Sequence, residues 1–172
     1  LCFAACCAFI PLLATERNIT QVSFFFIAHG GVSILARPLG GKAGDLFGRI
    51  PIVIVGMTCM TVAMISLSMI STNSGMIIVG LFSGLGVSLS NTGLFALALD
   101  RVSLNEQGGA TAVVQLAWDV GIVISGVGLG LIATQFGVTS IFIAGAFFPF
   151  SALLVILFLL KKRVLSFKKA VL

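Results

Sequence analysis

Long runs of uncharged apolar residues constrain the fold of this chain more than any other feature. Hydrophobic residues make up 59% of the sequence and charged residues 9%, whereas soluble domains carry roughly 25% charged residues. Such a sequence cannot build a water-facing surface, because large apolar patches drive association. The runs do not alternate apolar with polar residues, which argues against a transmembrane β-barrel. The sequence therefore predicts an all-α membrane protein.

The lengths of these runs predict about six transmembrane helices. A span needs about 20 apolar residues, so the opening run is too short and we expect a truncated first helix. The chain begins with Leu and has no positively charged leader, which argues against a signal peptide. The helical bundle is predicted over residues 1–160 and a basic tail over residues 161–172. The expected spans are 1–13 (partial), 21–36, 51–70, 76–99, 109–134 and 139–160.

The basic residues predict the orientation of the bundle. Of the 10 lysines and arginines, all but Arg17 fall in the tail or in the polar segments after the second and fourth spans. Basic residues collect on the cytoplasmic side of membrane proteins. We therefore expect these segments and the C-terminus to be cytoplasmic, in a multi-pass protein of the cell membrane, with a bacterial inner membrane favoured. The same pattern explains the net charge of +5 without nucleic-acid binding.

The polar segment between the second and third spans, residues 37–49, holds four charged residues among four glycines and one proline. Glycine permits tight turns and close approach of helices, so we predict a hairpin joining two helices at the cytoplasmic surface. Four residues of the segment are spaced four, three and one positions apart: Gly41, Asp45, Gly48 and Arg49.

This spacing resembles the cytoplasmic loop signature of the major facilitator superfamily, Gly-x-x-x-Asp-(Arg/Lys)-x-Gly-Arg-(Arg/Lys). Two basic positions of the signature are Leu46 and Ile50 here. The resemblance extends over essentially the whole chain and implies the C-terminal half of a twelve-helix transporter, helices seven to twelve. The missing N-terminal half would be a partner.

The implied function is secondary active transport of a small molecule by alternating access. The glycine-rich fifth span is similar to the eleventh helix of drug and sugar exporters, which favours proton-coupled efflux by antiport. The substrate site would lie between the two halves, lined by the first and fourth spans, with the second and fifth spans at the boundary. Spans three and six are apolar all round and should face lipid, whereas spans four and five should face protein or a water-filled cavity.

Asp45 is predicted to form a latch with Arg101 at the cytoplasmic end of the fourth span. An ion pair at this position would bias the equilibrium between access states. The alternative is that Asp45 only caps a helix and Arg49 only sets topology.

Asp119 is the strongest candidate for coupling, because it lies about 15 Å into the fifth span from its cytoplasmic end. A carboxylate near the middle of a membrane is costly and marks a proton site or a partner for a cationic substrate. A structural carboxylate bound to a neighbouring helix is the alternative. Five further residues could bind substrate or protons, or could only tie helices together: His29, Gln115, Asn91, Ser88 and Trp118.

Two other classes of protein are open to a chain of this kind. One is a stand-alone six-helix homodimeric channel or membrane assembly protein. The other, an intramembrane enzyme, is disfavoured because the sequence offers no paired nucleophile and base and no cluster of metal ligands. No ATP-binding loop is present, so ATP is not expected as the direct energy source. The four cysteines show no metal-ligand spacing with His29, and no cofactor and no metal are expected.

Overall fold

The computed structural model describes the backbone of residues 2–170 and the side chains of residues 7–162. Within that range there is no strand, and four helices are long and apolar enough to cross a membrane, with a shorter apolar one at Cys7–Glu16. The all-α membrane fold is confirmed. The helices described are α1 Cys2–Glu16, α2 Ser23–Phe47, α3 Arg49–Met69, α4 Asn73–Leu99, α5 Gln107–Phe136 and α6 Val138–Ala170, with a 3₁₀ turn Leu104–Glu106 before α5.

The predicted hairpin over residues 37–49 is wrong, because α2 continues through Phe47. The chain reverses at Gly48 alone, whose φ of 92° is a conformation that side chains with a Cβ rarely adopt. Packing overrides the weak helix propensity of the glycines here. Gly40, for example, lies against α4, where an added Cβ would meet Leu89 at 2.8 Å. Arg37 therefore lies inside a helix, not in a loop.

Helix α6 continues through the predicted basic tail as far as Ala170. Lys161 and Lys162 are exposed on this helix. The other basic residues of the tail, which the orientation count used, have side chains outside the described residues: Arg163, Lys168 and Lys169.

Helix α4 is central to the packing. It lies along both α2 and α3, while α3 also packs on α6, and α1 packs on α5 and α6. The pairings repeat when each helix is replaced by the one three places away in the chain. The contact of α2 with α4 then corresponds to that of α5 with α1, and the contact of α3 with α4 to that of α6 with α1. This is the pattern expected of two repeated three-helix units.

The two ends of the bundle are packed differently. We call the end with the Gly48 turn and the α4–α5 connection the motif end, and the opposite end the distal end. The main hydrophobic core lies at the distal end and takes residues from all six helices. Its fully buried members include Ile10, Leu13, Phe25, Met64, Leu67, Met76, Leu129, Ile141 and Phe142. The motif end lacks an equivalent core joining α5 to α2, α3 and α4 among the described residues.

Arg17 ties three helices together at the distal end. Its guanidinium donates hydrogen bonds to the carbonyl oxygens of Ile70 and Ser68, the latter at 2.6 Å, and to Oγ1 of Thr139 at 3.0 Å. The positive charge thus lies at the carboxyl end of α3, where the helix dipole favours a cation. Thr139 is in the first turn of α6, so this one side chain links α1, α3 and α6.

Glycines bring α4 into backbone contact with both of its neighbours. A Cβ added to Gly84 would collide with the carbonyl oxygen of His29 on α2, and one added to Gly86 would meet the amide nitrogen of Met60 on α3 at 2.8 Å. The expectation that α4 faces protein is met. α5 differs, because only 11% of its membrane-spanning window is buried within this chain, against 50% for α4. Its place at the boundary with another half stays a prediction.

Candidate functional site

A groove opens between α2, α4 and α5 in the motif-end half of the bundle. Its volume is about 420 Å³, which is within the range of small-molecule sites. Arg37, Asn91 and Trp118 lie about 12 to 17 Å along their helices from the motif end, given a rise of 1.5 Å per residue. The groove therefore lies two to three helical turns inside the motif end of the bundle. Its lining residues are Arg37, Asn91, Thr92, Phe95, Gln115 and Trp118.

The lining combines one charge with amides and aromatic rings. Arg37 contributes a guanidinium that makes no ion pair and no hydrogen bond with the described residues. Asn91 and Gln115 add amide donors and acceptors from α4 and α5. Phe95 and Trp118 supply flat apolar surfaces. Such a groove can hold a small amphipathic molecule.

Asp119 lies beside the groove but does not line it. Its side chain is exposed, and its Oδ1 accepts a hydrogen bond from Nε2 of Gln115, one turn earlier on α5, at 3.3 Å. Gln115 is a lining residue, so this bond connects the carboxylate to the groove. Within the described chain, Asp119 makes no ion pair.

The fold brings together three of the residues that the sequence singled out, Asn91, Gln115 and Trp118, with Asp119 one hydrogen bond away. Arg37 was not among them, because residues 37–49 were taken as a loop. Pro38 and the glycines after it are signals for a helix end, so the local sequence gives no clear sign that Arg37 lies on the same helix as His29. Phe95 follows Asn91 by four positions and shares its face.

Ser88 and His29 lie instead at the interface between α2 and α4. The Ser88 hydroxyl donates to the carbonyl oxygen of Ser33 at 3.1 Å, and the Ser33 hydroxyl donates to that of Gly84 at 3.3 Å. Nδ1 of His29 is 3.0 Å from Oγ of the buried Ser83. These contacts are those expected of residues that tie helices together.

The His29 ring also stacks on Phe25, with centroids 5.9 Å apart and ring planes at 11°. The Ser83 hydroxyl donates to the carbonyl oxygen of Gly80 at 3.0 Å. A lone pair on Oγ of Ser83 is then free to accept a hydrogen bond from a proton on Nδ1 of His29. This network lies against α4, and neither His29 nor Ser83 lines the groove.

An ion triad joins the motif ends of α2, α3 and α4. Nη1 of Arg49 is 2.6 Å from Oδ1 of Asp45, and its Nε is 3.3 Å from Oδ2 of Asp100. The predicted partner of Asp45, Arg101, makes no ion pair within the described chain. Asp45 pairs instead with Arg49, four positions later.

Asp100 is the member of the triad that the sequence analysis missed. It caps the carboxyl end of α4 and pairs with Arg49, the first residue of α3. A carboxylate directly after a span that returns to the motif end was the available signal. The side chains of the triad are 27% to 65% exposed, so each pair stabilises the fold only weakly.

Comparison with known protein families adds one match. The family model of the Major Facilitator Superfamily matches residues 1–171. No solved structure matches the chain. The matched residues include the whole of the groove and the whole of the ion triad.

Proposed function

The chain belongs to the major facilitator superfamily, a family of membrane transporters, and on that premise we propose that it works in secondary active transport of a small molecule by alternating access. The observation that carries this proposal is the groove between α2, α4 and α5 with its mixed polar and aromatic lining. A transporter needs a site of this kind within the membrane, reachable from one side at a time.

Alternating access is supported by the difference between the two ends of the bundle. The distal end is closed by the hydrophobic core and by the hydrogen bonds of Arg17. The groove lies in the motif-end half, where α5 lacks such a core. This arrangement suits a state in which the site is reached from the motif end, which we place at the cytoplasm together with the C-terminus, in a cell membrane such as a bacterial inner membrane.

The substrate site is proposed to form between this bundle and an N-terminal six-helix half. The exposed surface of α5 offers a face for that half. Of the two helices expected to line the site, α4 contributes three residues to the groove, whereas the described side chains of α1 contribute none; the others come from α2 and α5.

The ion triad is proposed to act as the latch between access states. It connects the ends of three helices through one guanidinium, and its exposure to solvent lets the pairs break and form. A free-energy difference of about 1 kcal/mol is enough to change the ratio of two states roughly fivefold. The triad replaces the pair of Asp45 with Arg101 that the sequence suggested.

Proton coupling is proposed to run through Asp119, and the direction of transport is proposed to be efflux by antiport. A proton arriving at this carboxylate would change the charge beside Gln115 and so the groove that Gln115 lines. A carboxylate in a spanning segment is by default a functional residue.

The test is transport by the full protein in proteoliposomes under an imposed pH gradient. Asp119→Asn should abolish gradient-driven transport while substrate exchange without a gradient continues, because the amide keeps the shape but cannot take up a proton. Asp119→Glu, which keeps the carboxylate, serves as the matched control and should retain coupling. Unchanged gradient-driven transport in Asp119→Asn would remove Asp119 from the coupling mechanism.

The same exposed α5 surface would also accept a second copy of the chain, as in a homodimeric channel or assembly protein. The mass of the natural protein in its membrane separates the two proposals. A mass of twice the 17.9 kDa of this chain or more supports a partner half. A mass near 17.9 kDa with a dimeric assembly supports the second copy.

A further inference from the structure

Arg37 is placed where a charge needs a partner. It lies on α2 about 15 Å from the helix end at Phe47, and about 7.5 Å deeper than Lys42 on the same helix. An ionised side chain at membrane depth is costly unless it pairs or reaches water. Within the described chain Arg37 has no ion pair and no hydrogen bond, and it lines the groove.

The neighbours of Arg37 in the groove suit a ligand that has a negative group and a ring. Asn91 and Gln115 supply amide N–H donors, which add to a guanidinium when it binds a carboxylate or phosphate. Trp118 and Phe95 provide surfaces on which an aromatic ring can stack. Guanidinium, amides and rings all line the same 420 Å³ groove.

The acidic residue nearby does not offset this preference. Asp119 is absent from the groove lining, and its Oδ1 is already engaged by Nε2 of Gln115 at 3.3 Å. The first full charge that a ligand meets in the groove is therefore positive. A cationic ligand would have to approach the guanidinium without a facing carboxylate.

We infer that the groove selects a small organic anion with an aromatic ring, held by Arg37 through its carboxylate or phosphate group. The inference rests on the proposed transport function, since it names the substrate class of the same site. It also narrows that function, because the sequence alone had suggested a cationic substrate at Asp119 as one possibility.

The experiment uses Trp118, which is the one tryptophan of this chain, as the reporter. The full protein in nanodiscs of zwitterionic lipid is titrated with 4-nitrobenzoate, 4-nitrobenzamide or 4-nitrobenzylamine, which share a quenching nitrophenyl ring and differ in charge. Subtracting the signal of Trp118→Phe isolates quenching at the groove. We expect 4-nitrobenzoate to saturate at a concentration at least about tenfold lower than the other two, as a charge-assisted hydrogen bond provides.

Variants of two basic residues on α2 assign the preference. Arg37→Gln should make the three probes equal, and Arg37→Lys should keep part of the preference for the anion. Lys42→Gln is the matched control, because it removes a charge from the same helix outside the groove, and it should behave as the unaltered protein. If Arg37→Gln does not fold, the inference is still tested by comparing the three probes on the unaltered protein and on Arg37→Lys.

Three results would overturn the inference. These are equal binding of the three probes, tighter binding of 4-nitrobenzylamine, and an anion preference that survives in Arg37→Gln. A fourth arm repeats the titration in nanodiscs of anionic lipid, and competition by the lipid would assign Arg37 to a headgroup instead. Anion-selective binding without any transport in proteoliposomes would contradict the transport proposal alone, whereas transport without anion selectivity would contradict this inference alone.

Discussion

Helices α4 and α5 are both rich in glycine and small polar residues, yet they occupy opposite environments. Half of the spanning window of α4 is buried, and its glycines touch the backbones of α2 and α3. Only 11% of the α5 window is buried, and a Cβ added to Gly126, Gly128 or Gly130 would meet nothing within 4 Å. A glycine pattern thus identifies a helix surface on which another helix can pack closely. It does not tell whether that second helix belongs to this chain.

The difference has a mechanical consequence. α4 is held along its length by two neighbours, so α2, α3 and α4 form one tightly packed group. α5 is attached mainly through its distal part, where Leu129 is buried and Ile132 and Ala133 pack against the core. The motif-end half of α5, with Gln115 and Trp118, is thereby left as one wall of the groove.

The sharpest test of this contrast substitutes alanine for one glycine in each helix. Gly84→Ala should lower the free energy of unfolding by about 3 kcal/mol, at the upper end for overpacking, because the obstructing atoms belong to the backbone of His29. Gly128→Ala should leave stability unchanged or raise it by up to about 1 kcal/mol through helix propensity. The measurement is reversible unfolding in mixed micelles with increasing dodecyl sulfate.

Equal effects of the two alanines would break the comparison. A large loss at Gly128 in the full protein, together with none in the isolated 172-residue chain, would sharpen it. That result would mean that an N-terminal half packs on the glycines of α5.

A second test asks whether α5 is attached through Leu129. This side chain is 2% exposed, whereas Leu131, two positions later on the same helix, is 62% exposed. Leu129→Ala should lower the free energy of unfolding by about 2 kcal/mol, toward the low end for buried leucines. The loss is modest because a leucine released from the core on unfolding in a membrane meets lipid and not water. Leu131→Ala should change the free energy of unfolding by less than about 0.5 kcal/mol.

The same unfolding assay measures both leucine variants. Equal losses in the two would show that the outward face of α5 is packed as well, and the contrast with α4 would then fail.

Much of the fold could be predicted because hydropathy reports directly on membrane spans. The spans assigned to α3, α4, α5 and α6 begin within a few residues of the helices observed. The error at residues 37–49 has a physical cause. Glycine and charge suggest a turn when the segment is considered alone, but Gly40 packs on Leu89 and Gly44 on Arg49, and these tertiary contacts keep the helix intact.

The site was predictable only in part. Asn91, Gln115 and Trp118 were found because polar and aromatic side chains stand out within apolar spans. Arg37 was missed together with the helix that carries it. The structure pairs Asp45 with Arg49 and not with Arg101, and brings in Asp100. One residue at a helix end turns a side chain by about 100°, and the sequence does not fix where α4 ends to that accuracy.

The smallest expected effect on stability, below about 1 kcal/mol, belongs to the ion triad, because its side chains are partly exposed. Its effect on access should still be measurable, since the triad is formed in a structure whose distal end is closed and whose groove is present. Breaking one pair by Asp100→Asn should lower the population of this state up to about fivefold. Arg101→Gln, next in sequence and outside the triad, should have no effect.

The groove residue Thr92 provides the measurement. In a background where the native cysteines are replaced, Thr92→Cys is alkylated by a membrane-impermeant maleimide added from the motif-end side. Asp100→Asn should slow this alkylation up to about fivefold, and high salt should reduce the difference because it screens exposed charges. Slowing of the same size in Arg101→Gln would show that Arg101 also takes part in the latch. An unchanged alkylation rate in both variants would show that the triad joins the helix ends without influencing access.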